Sequence, residues 1–431
     1  MDNKNICIHT LGCKLNFSES ATLGRLLKEK GHTITTQNAH IHIINTCAVT
    51  EVAEKKSKYL VHKIKNQNPN AKILLMGCYA TLESVQKIEN EVDIIFVNKD
   101  KLSIVEQIDT IFDEQKKSKI RTNLSRNATF FSSYSLKERT RSFLKIQDGC
   151  DYHCTYCTVA KARGESRSDE IENVVKNAQI IVNQSIAEII LTGVNIGDFR
   201  TKKGENFYDL LVALGKISLL KRLRISSIEP NLLTNEIIDL VANSEQILPH
   251  FHIPLQSGCD AILQKMKRRY NVQLFADKVL YIKEKMPNAC IAADVICGFP
   301  TETEEQFKET YNFINSLPIS MLHVFPYSLR PDTPAAEMEG HIPNTVKQKR
   351  AQKLLELSGQ KKKFFYDQHQ GKILNGLIEN KNKNGYLTGL TDNYIRFQIP
   401  YNKLIINQIV KIQLTELDQN GVYFCQLIEN H

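Results

Sequence analysis

No apolar run in this chain approaches 18 residues, so no membrane-spanning helix is expected and no membrane partner with it. The opening residues, MDNKNICIHTLG, carry no basic segment followed by an apolar one, which argues against a secretory signal. Cysteine occurs 11 times, an odd count, and without a signal that speaks against a disulfide framework. The thiols read instead as ligands in a reducing, cytoplasmic compartment. A second Cys-x2-Cys pair is also missing, so a zinc knuckle built from two such pairs lacks its closing half. What remains is a soluble globular composition, 42% hydrophobic and 24% charged, on a chain whose 431 residues exceed a single core. Two or three domains are expected.

Cys150, Cys154 and Cys157 lie together in QDGCDYHCTYC and set three thiolates on one short loop. Thiolates suit zinc or iron–sulfur clusters. Structural zinc takes four ligands, whereas a cubane bound by three cysteines keeps one iron open for a non-protein ligand. Spacing favours the cluster over a zinc loop closed by His153 or a distant cysteine. The run resembles the signature of radical S-adenosylmethionine (SAM) enzymes, whose open iron binds the amino and carboxylate groups of SAM.

Residues 1–115 alternate short apolar runs (6–10, 42–45, 72–76, 93–97) with helical spacing at about 17–31, 51–66, 82–88 and 102–112. That rhythm predicts an open, flavodoxin-like parallel sheet. Cys13, Cys47 and Cys78 each fall just past a strand, in LGC, NTC and MGC. Loops at the carboxyl ends of parallel strands converge on one edge, so these three cysteines are expected to meet at a second cluster site. Accidental buried thiols are the alternative. Cys7, inside its strand, reads as a small buried hydrophobe.

Residues 116–139 are polar and basic, a linker with room for one strand. Six apolar runs follow within 140–362, at 142–147, 188–193, 222–227, 250–255, 291–296 and 322–327. Helical patterns such as 170–184 and 231–241 separate them. This fits an incomplete TIM-type (β/α)6 barrel, with its chemistry at the carboxyl ends of the strands. Residues 363–431 read as β-strands with turns at Lys381–Gly385 and Asp418–Gly421, a small OB-like barrel.

The formal charge of +9 is unevenly placed: residues 1–115 hold 14 basic and 14 acidic side chains, and 116–167 hold 12 against 4. A second basic stretch, 345–363, carries Lys347, Lys349, Arg350, Lys353, Lys361, Lys362 and Lys363 against Glu356 alone. A basic surface beside a catalytic loop suits RNA. For 345–363 a solvated helix face is an equal reading. The last barrel is charge-balanced, with Lys372, Arg396, Tyr386 and Tyr394 as candidates for a local binding face.

Candidate SAM contacts sit on the strand ends: Tyr156 in the cysteine loop, Gly193 in LTGVNIG, and Ser227 and Glu229 in SSIEP. Gln256 and Ser257 follow in HIPLQSGCD, then Asp294 and Gly298 in DVICGFPTETEEQF. Gly193 permits close backbone approach, and Glu229 suits a cationic or ribose partner. Thr301 and Thr303 with Glu304 and Glu305 look like helix-start chemistry. Singly each is an ordinary loop or cap; together they favour a cofactor pocket.

Nearly the whole chain resembles the methylthiotransferase family of radical SAM enzymes. TLGCKLNFSES, INTCAVTEVAEKKS and MGCYA match its N-terminal motifs. QDGCDYHCTYC, ARGESRS, LTGVNIG, IPLQSGCDAILQKMKRRY, DVICGFPTETEEQF and SMLHVFPYSLRPDTPA match its barrel motifs. One departure is TVAKARG after Cys157, where the family usually has Val-Pro. The resemblance implies a C-terminal TRAM domain and two 4Fe–4S clusters. Cys150, Cys154 and Cys157 would carry the cluster that cleaves SAM, and Cys13, Cys47 and Cys78 the auxiliary one that supplies sulfur. It also implies a tRNA anticodon stem-loop as substrate, a flavodoxin- or ferredoxin-type electron donor and a sulfur donor. Hydrogen abstraction from adenine C2 requires no side-chain acid or base, and none is assigned. GCKLN with QDGC is closest to the branch acting on N6-threonylcarbamoyladenosine; GCQMN is commoner for isopentenyladenosine and GCPKN for a ribosomal-protein aspartate. A non-catalytic metal-dependent RNA-binding protein is the alternative of another class.

Overall fold

The structure is a computed structural model and describes residues 3–110, 130–136 and 138–428. Five strands, β1 (Asn5–Thr10), β2 (Thr33–Ile34), β3 (Ile41–Thr46), β4 (Lys72–Gly77) and β5 (Ile94–Ile95), form one parallel sheet. Their order is β2-β1-β3-β4-β5, the flavodoxin-like arrangement. Helices bury both faces, which is why β3 and β4 are apolar on both sides. Leu23 and Leu27 of helix Lys14–Glu29 cover Ile6, Ile41 and Ile43, while Val61 and Ile64 of helix Glu51–Gln67 cover Ile44, Ile73 and Leu75. The winding of the connections reverses between β1 and β3, and the crevice at such a switch point is where ligands bind in these sheets.

Two helical expectations change. The segment expected at 82–88 is a 3-10 helix, Glu83–Glu91, whose buried residues Val85 and Ile88 repeat at the threefold period of that helix. The helix expected at 102–112 is a short turn, Ser103–Gln107, continued as Ile108–Thr110, and its last two residues lie outside the described ones.

The second domain begins with β6 (Ser133–Tyr134), β7 (Arg141–Lys145), β8 (Gln147–Asp148) and β9 (Arg167–Ser168). It continues through β10 (Glu188–Thr192), β11 (Arg222–Arg224), β12 (His250–Gln256), β13 (Cys290–Cys297) and β14 (Met321–Pro326). Strands β7, β10 and β11 run parallel, as do β12, β13 and β14. Parallel bridges Leu223↔Ile247 and Ser227↔His252 join the two groups, so six strands curve into an open barrel. The strand allowed for in the linker is β6, antiparallel to β7. Leu144, Ile189, Leu223, Phe251 and Ile291 pack outward under the helices. Alternation therefore turns Arg141, Lys145, Glu188, Arg224, His252 and Asp294 toward a polar lumen.

Helix Asn344–Asp367 leads into β15 (Ile373–Lys383), β16 (Tyr386–Thr391), β17 (Arg396–Pro400), β18 (Ile409–Leu417) and β19 (Tyr423–Leu427). These close a barrel in the order β15-β16-β17-β19-β18, with only the β17–β19 pair parallel, the OB topology. The helix runs straight through the domain boundary expected at 362/363.

The N-terminal domain leans on the inner side of β7. Phe17 stands edge-on to Phe143 with ring centroids 5.6 Å apart, and Thr22 exchanges two 3.0 Å hydrogen bonds with the Tyr134 backbone. The C-terminal barrel closes the opposite end of β10–β12. Arg222 and Arg224, both anchored on Glu188, donate to carbonyls of Leu390, Thr391 and Asp392, and Tyr394 stacks on His250 at 4.3 Å. Tyr394 is thus an interdomain contact, and it also lines one groove with Tyr386 and Arg396.

Several side chains of the two basic stretches are engaged within the molecule, while Lys353 and Lys363 stay exposed. Among described residues of 130–167, Arg139 lies over Phe17, Lys161 donates to Asp332, and Arg141, Lys145, Arg163 and Arg167 are ion-paired inside the molecule. In 345–363, Arg350 is buried against Glu302, Lys361 donates to the Asn315 and Leu317 carbonyls, and Lys362 to Gly421. Residues 116–129, expected to be basic linker, lie outside the described residues apart from their sequence. No helix among the described residues is long and apolar enough to cross a membrane.

Candidate active site

Each thiol of the 150–157 loop receives an N–H. Tyr152 N donates to Cys150 Sγ at 3.4 Å, Val159 N to Cys157 Sγ at 3.4 Å, and Arg268 Nη1 to Cys154 Sγ at 3.0 Å. Burial pushes the Cys150 thiol up to about 11 and the Cys157 thiol up to about 12. Burial also raises Cys154, with Arg268 pulling the other way. Since a metal ligand must be a thiolate, loading this loop releases protons, and the N–H donors stabilise the charge that results. The loop is pinned to the turn after β12: Thr155 N donates to Met266 O at 3.2 Å and Thr155 Oγ1 to Lys265 O at 2.9 Å.

Arg268 organises the ground beside Cys154. It pairs with Glu229, and reaches Tyr156 Oη at 3.3 Å and Tyr270 Oη at 3.2 Å. Burial raises the Glu229 carboxyl and Arg268 opposes that rise. Glu229 and Tyr156 thus stand at the cysteine loop, and Ser227 bridges to His252 nearby. Gln256, at φ 64°, closes β12 in the left-handed region. Gly193 is needed for a different close approach: a β-carbon there would lie 2.9 Å from the Gln147 carbonyl oxygen. Gly298 similarly makes room for the Lys347 stem, at 2.3 Å from an added β-carbon. Asp294 points into the lumen, accepting from His252 Nε2 at 2.7 Å and His323 Nδ1 at 3.0 Å. Burial pushes its carboxyl up, but those two hydrogen bonds hold it far below the carboxylate range.

Cys13, Cys47 and Cys78 come together at the switch-point crevice, where Cys47 feels both Cys78 and Cys13, and Cys13 feels Cys78. Three local devices bring them there. Gly12 lets the first loop lie against Cys47. Asn16 Nδ2 donates to Leu11 O at 2.8 Å and to Thr46 O at 2.9 Å, clamping the first loop to the second. Thr46 Oγ1 donates to Met76 O at 2.6 Å and accepts from Ala80 N at 3.2 Å, clamping the second to the third. Burial pushes the Cys47 thiol up to about 11, and raises Cys13 against the pull of Arg163. Cys13 is exposed to solvent.

Residues 5–97 match the model described as uncharacterized protein family UPF0004, and residues 144–314 match the radical SAM superfamily. The threonylcarbamoyladenosine tRNA methylthiotransferase of Bacillus subtilis (strain 168) is 37% identical over 99% of this chain and 97% of its own. The chain belongs to the radical SAM methylthiotransferase family. A tRNA-2-methylthio-N(6)-dimethylallyladenosine synthase from Thermodesulfovibrio yellowstonii is 30% identical over 98% of each chain. Among solved structures, the radical SAM methyltransferase TsrM from Kitasatospora setae, with cobalamin and a 4Fe–4S cluster bound, has a TM-score of 0.57. At 13% identity, covering 78% of this chain and 77% of that one, it shares the fold.

Membership implies a 4Fe–4S cluster and SAM in this methylthiotransferase. The three N–H···S contacts at the barrel loop fit that requirement. Arg268, Gln147 and Arg163 were not singled out from the sequence. Arg268 stands in KMKRRY and Arg163 in ARGESRS, so the motifs held both, but their partners lie in distant segments.

Proposed function

We propose that this enzyme converts N6-threonylcarbamoyladenosine beside the tRNA anticodon to its 2-methylthio derivative, with two 4Fe–4S clusters, one on each cysteine trio. The observation that carries this reading is the convergence of Cys13, Cys47 and Cys78 in a domain joined directly to the Cys150–Cys157 loop. Ala162, five residues past Cys157, packs in one core with Cys78, Tyr79 and Ala80. The threonylcarbamoyl substrate is supported by the higher identity to the relative of that name, 37% against 30%.

When bound, the barrel cluster and SAM supply a radical able to take hydrogen from carbon, and the auxiliary cluster supplies sulfur. The chain's own work is placement. Arg268 and the backbone N–H groups hold the barrel thiolates, Arg268 in turn meets Glu229 and Tyr156, and Phe17 with helix Lys14–Glu29 covers the lumen. Covering the lumen keeps water from the reacting atoms and the two sites close. A flavodoxin- or ferredoxin-type donor and a source of sulfur are further requirements, and a tRNA substrate places the enzyme in the cytoplasm.

Nucleoside mass spectrometry of tRNA from a deletion strain tests the reading. Loss of 2-methylthio-N6-threonylcarbamoyladenosine, with accumulation of its unthiolated precursor, is expected. Loss of the dimethylallyl counterpart instead would move the enzyme to that branch, and an unchanged tRNA profile would remove tRNA as substrate.

A further inference from the structure

A buried ion network lies between the two domains. Glu19, from helix Lys14–Glu29, forms ion pairs with Lys101 at 2.7 Å, Lys145 at 2.8 Å and Arg163 at 3.2 Å. Asp148 accepts from Lys145 at 2.7 Å, Arg163 at 2.9 Å and Arg167 at 3.0 Å. Four cations therefore share two carboxylates, and only Arg167 is more than 2% exposed. Such a surplus of buried positive charge is costly unless an anion faces it. Arg163 also lies within electrostatic reach of the Cys78 and Cys13 sulfurs.

Arg163 is also placed mechanically. It ends the short helix Val159–Arg163, which starts two residues after Cys157. Asn98 Nδ2 of the N-terminal domain donates to Ala162 O at 2.7 Å, and Cys150 N donates to Gly164 O at 3.0 Å. The other guanidinium nitrogen donates to Asn16 Oδ1 at 2.5 Å, and Asn16 is the residue that clamps the Cys13 and Cys47 loops together. One side chain thus touches the clamp of one cysteine site while its backbone neighbours hold the other.

We propose that Arg163 is a positioning residue that couples the two cysteine sites, supplying positive charge to the Cys13–Cys47–Cys78 centre and fixing it relative to the Cys157 loop. The inference rests on the reading of that trio as a second cluster site. A cation beside an iron–sulfur centre favours its reduced, more negative form, so its removal lowers the reduction potential.

The test uses the full chain with Cys150, Cys154 and Cys157 all changed to Ala, reconstituted anaerobically so that only the N-terminal site carries iron. Redox titration followed by electron paramagnetic resonance is expected to show a more negative midpoint potential for Arg163→Gln, while Arg163→Lys stays near the parent. In the protein with all its cysteines, Arg163→Lys is expected to raise severalfold the 5′-deoxyadenosine released per methylthio product, because the fork that holds Asn16 is gone. Parent-like potentials in Arg163→Gln together with a parent-like ratio in Arg163→Lys overturn the proposal. If Arg163→Gln does not fold, the ratio in Arg163→Lys decides alone. A parent that takes up no iron overturns the second-cluster reading instead.

Discussion

Gly12 lies so close to Cys47 that a β-carbon added to it would come within 2.9 Å of the Cys47 sulfur. The same glycine has φ 94°, a conformation that side chains resist. Both constraints act on the loop that delivers Cys13. Gly12→Ala is therefore expected to cut iron after anaerobic reconstitution from about eight to about four per chain, while SAM cleavage persists. Iron analysis beside a 5′-deoxyadenosine assay checks this; full iron in the variant would contradict it.

Glu229→Gln leaves Arg268 buried without its counter-charge beside Cys154. Breaking one partner of such a pair costs about 3–5 kcal/mol, so the melting temperature should fall. SAM binding to the reconstituted enzyme should weaken by about tenfold or more. Calorimetric titration with SAM and a thermal melt measure the two effects, and a variant with parent affinity would remove Glu229 from the pocket.

Glu188 ties the barrel to the C-terminal domain through Arg222 at 2.8 Å and Arg224 at 2.9 Å. Burial pushes its carboxyl up, but the Arg224 and Arg222 guanidiniums outweigh that and bring it down to about 2 from an ordinary 4.5. A carboxyl lowered on folding stabilises the folded state above its unfolded value, and the gain is lost as pH falls toward the folded one. Denaturant unfolding of the apoprotein should thus weaken between pH 4.5 and about 2 in the parent. Glu188→Gln should lack that part of the slope and be about 3–5 kcal/mol less stable at neutral pH. An identical acid slope in the variant would contradict the assignment.

The sheet, the six barrel strands and the stations of the six cysteines are legible in sequence because each follows from local rhythm. Cys13, Cys47 and Cys78 need only the rule that loops after parallel strands share an edge. Pairing across the chain is a different matter. Arg268 meets Cys154 across 114 residues, and Arg163 meets Glu19 across 144, so neither contact leaves a local trace. Asp294 shows the effect of register: placed opposite His323 on β14, it turns to the histidines of its neighbours. Composition counts charge without direction at 345–363, where Arg350 is buried between Glu302 and Glu304 while Lys353 and Lys363 face solvent.

The central claim is a division of labour between two sulfur-ligand trios, and paired substitutions read it most directly. In reconstituted enzyme given SAM, reductant and substrate tRNA, Cys154→Ala should release no 5′-deoxyadenosine. Cys47→Ala should still release it yet form no methylthio-nucleoside. Equal loss of 5′-deoxyadenosine in both variants would contradict the account.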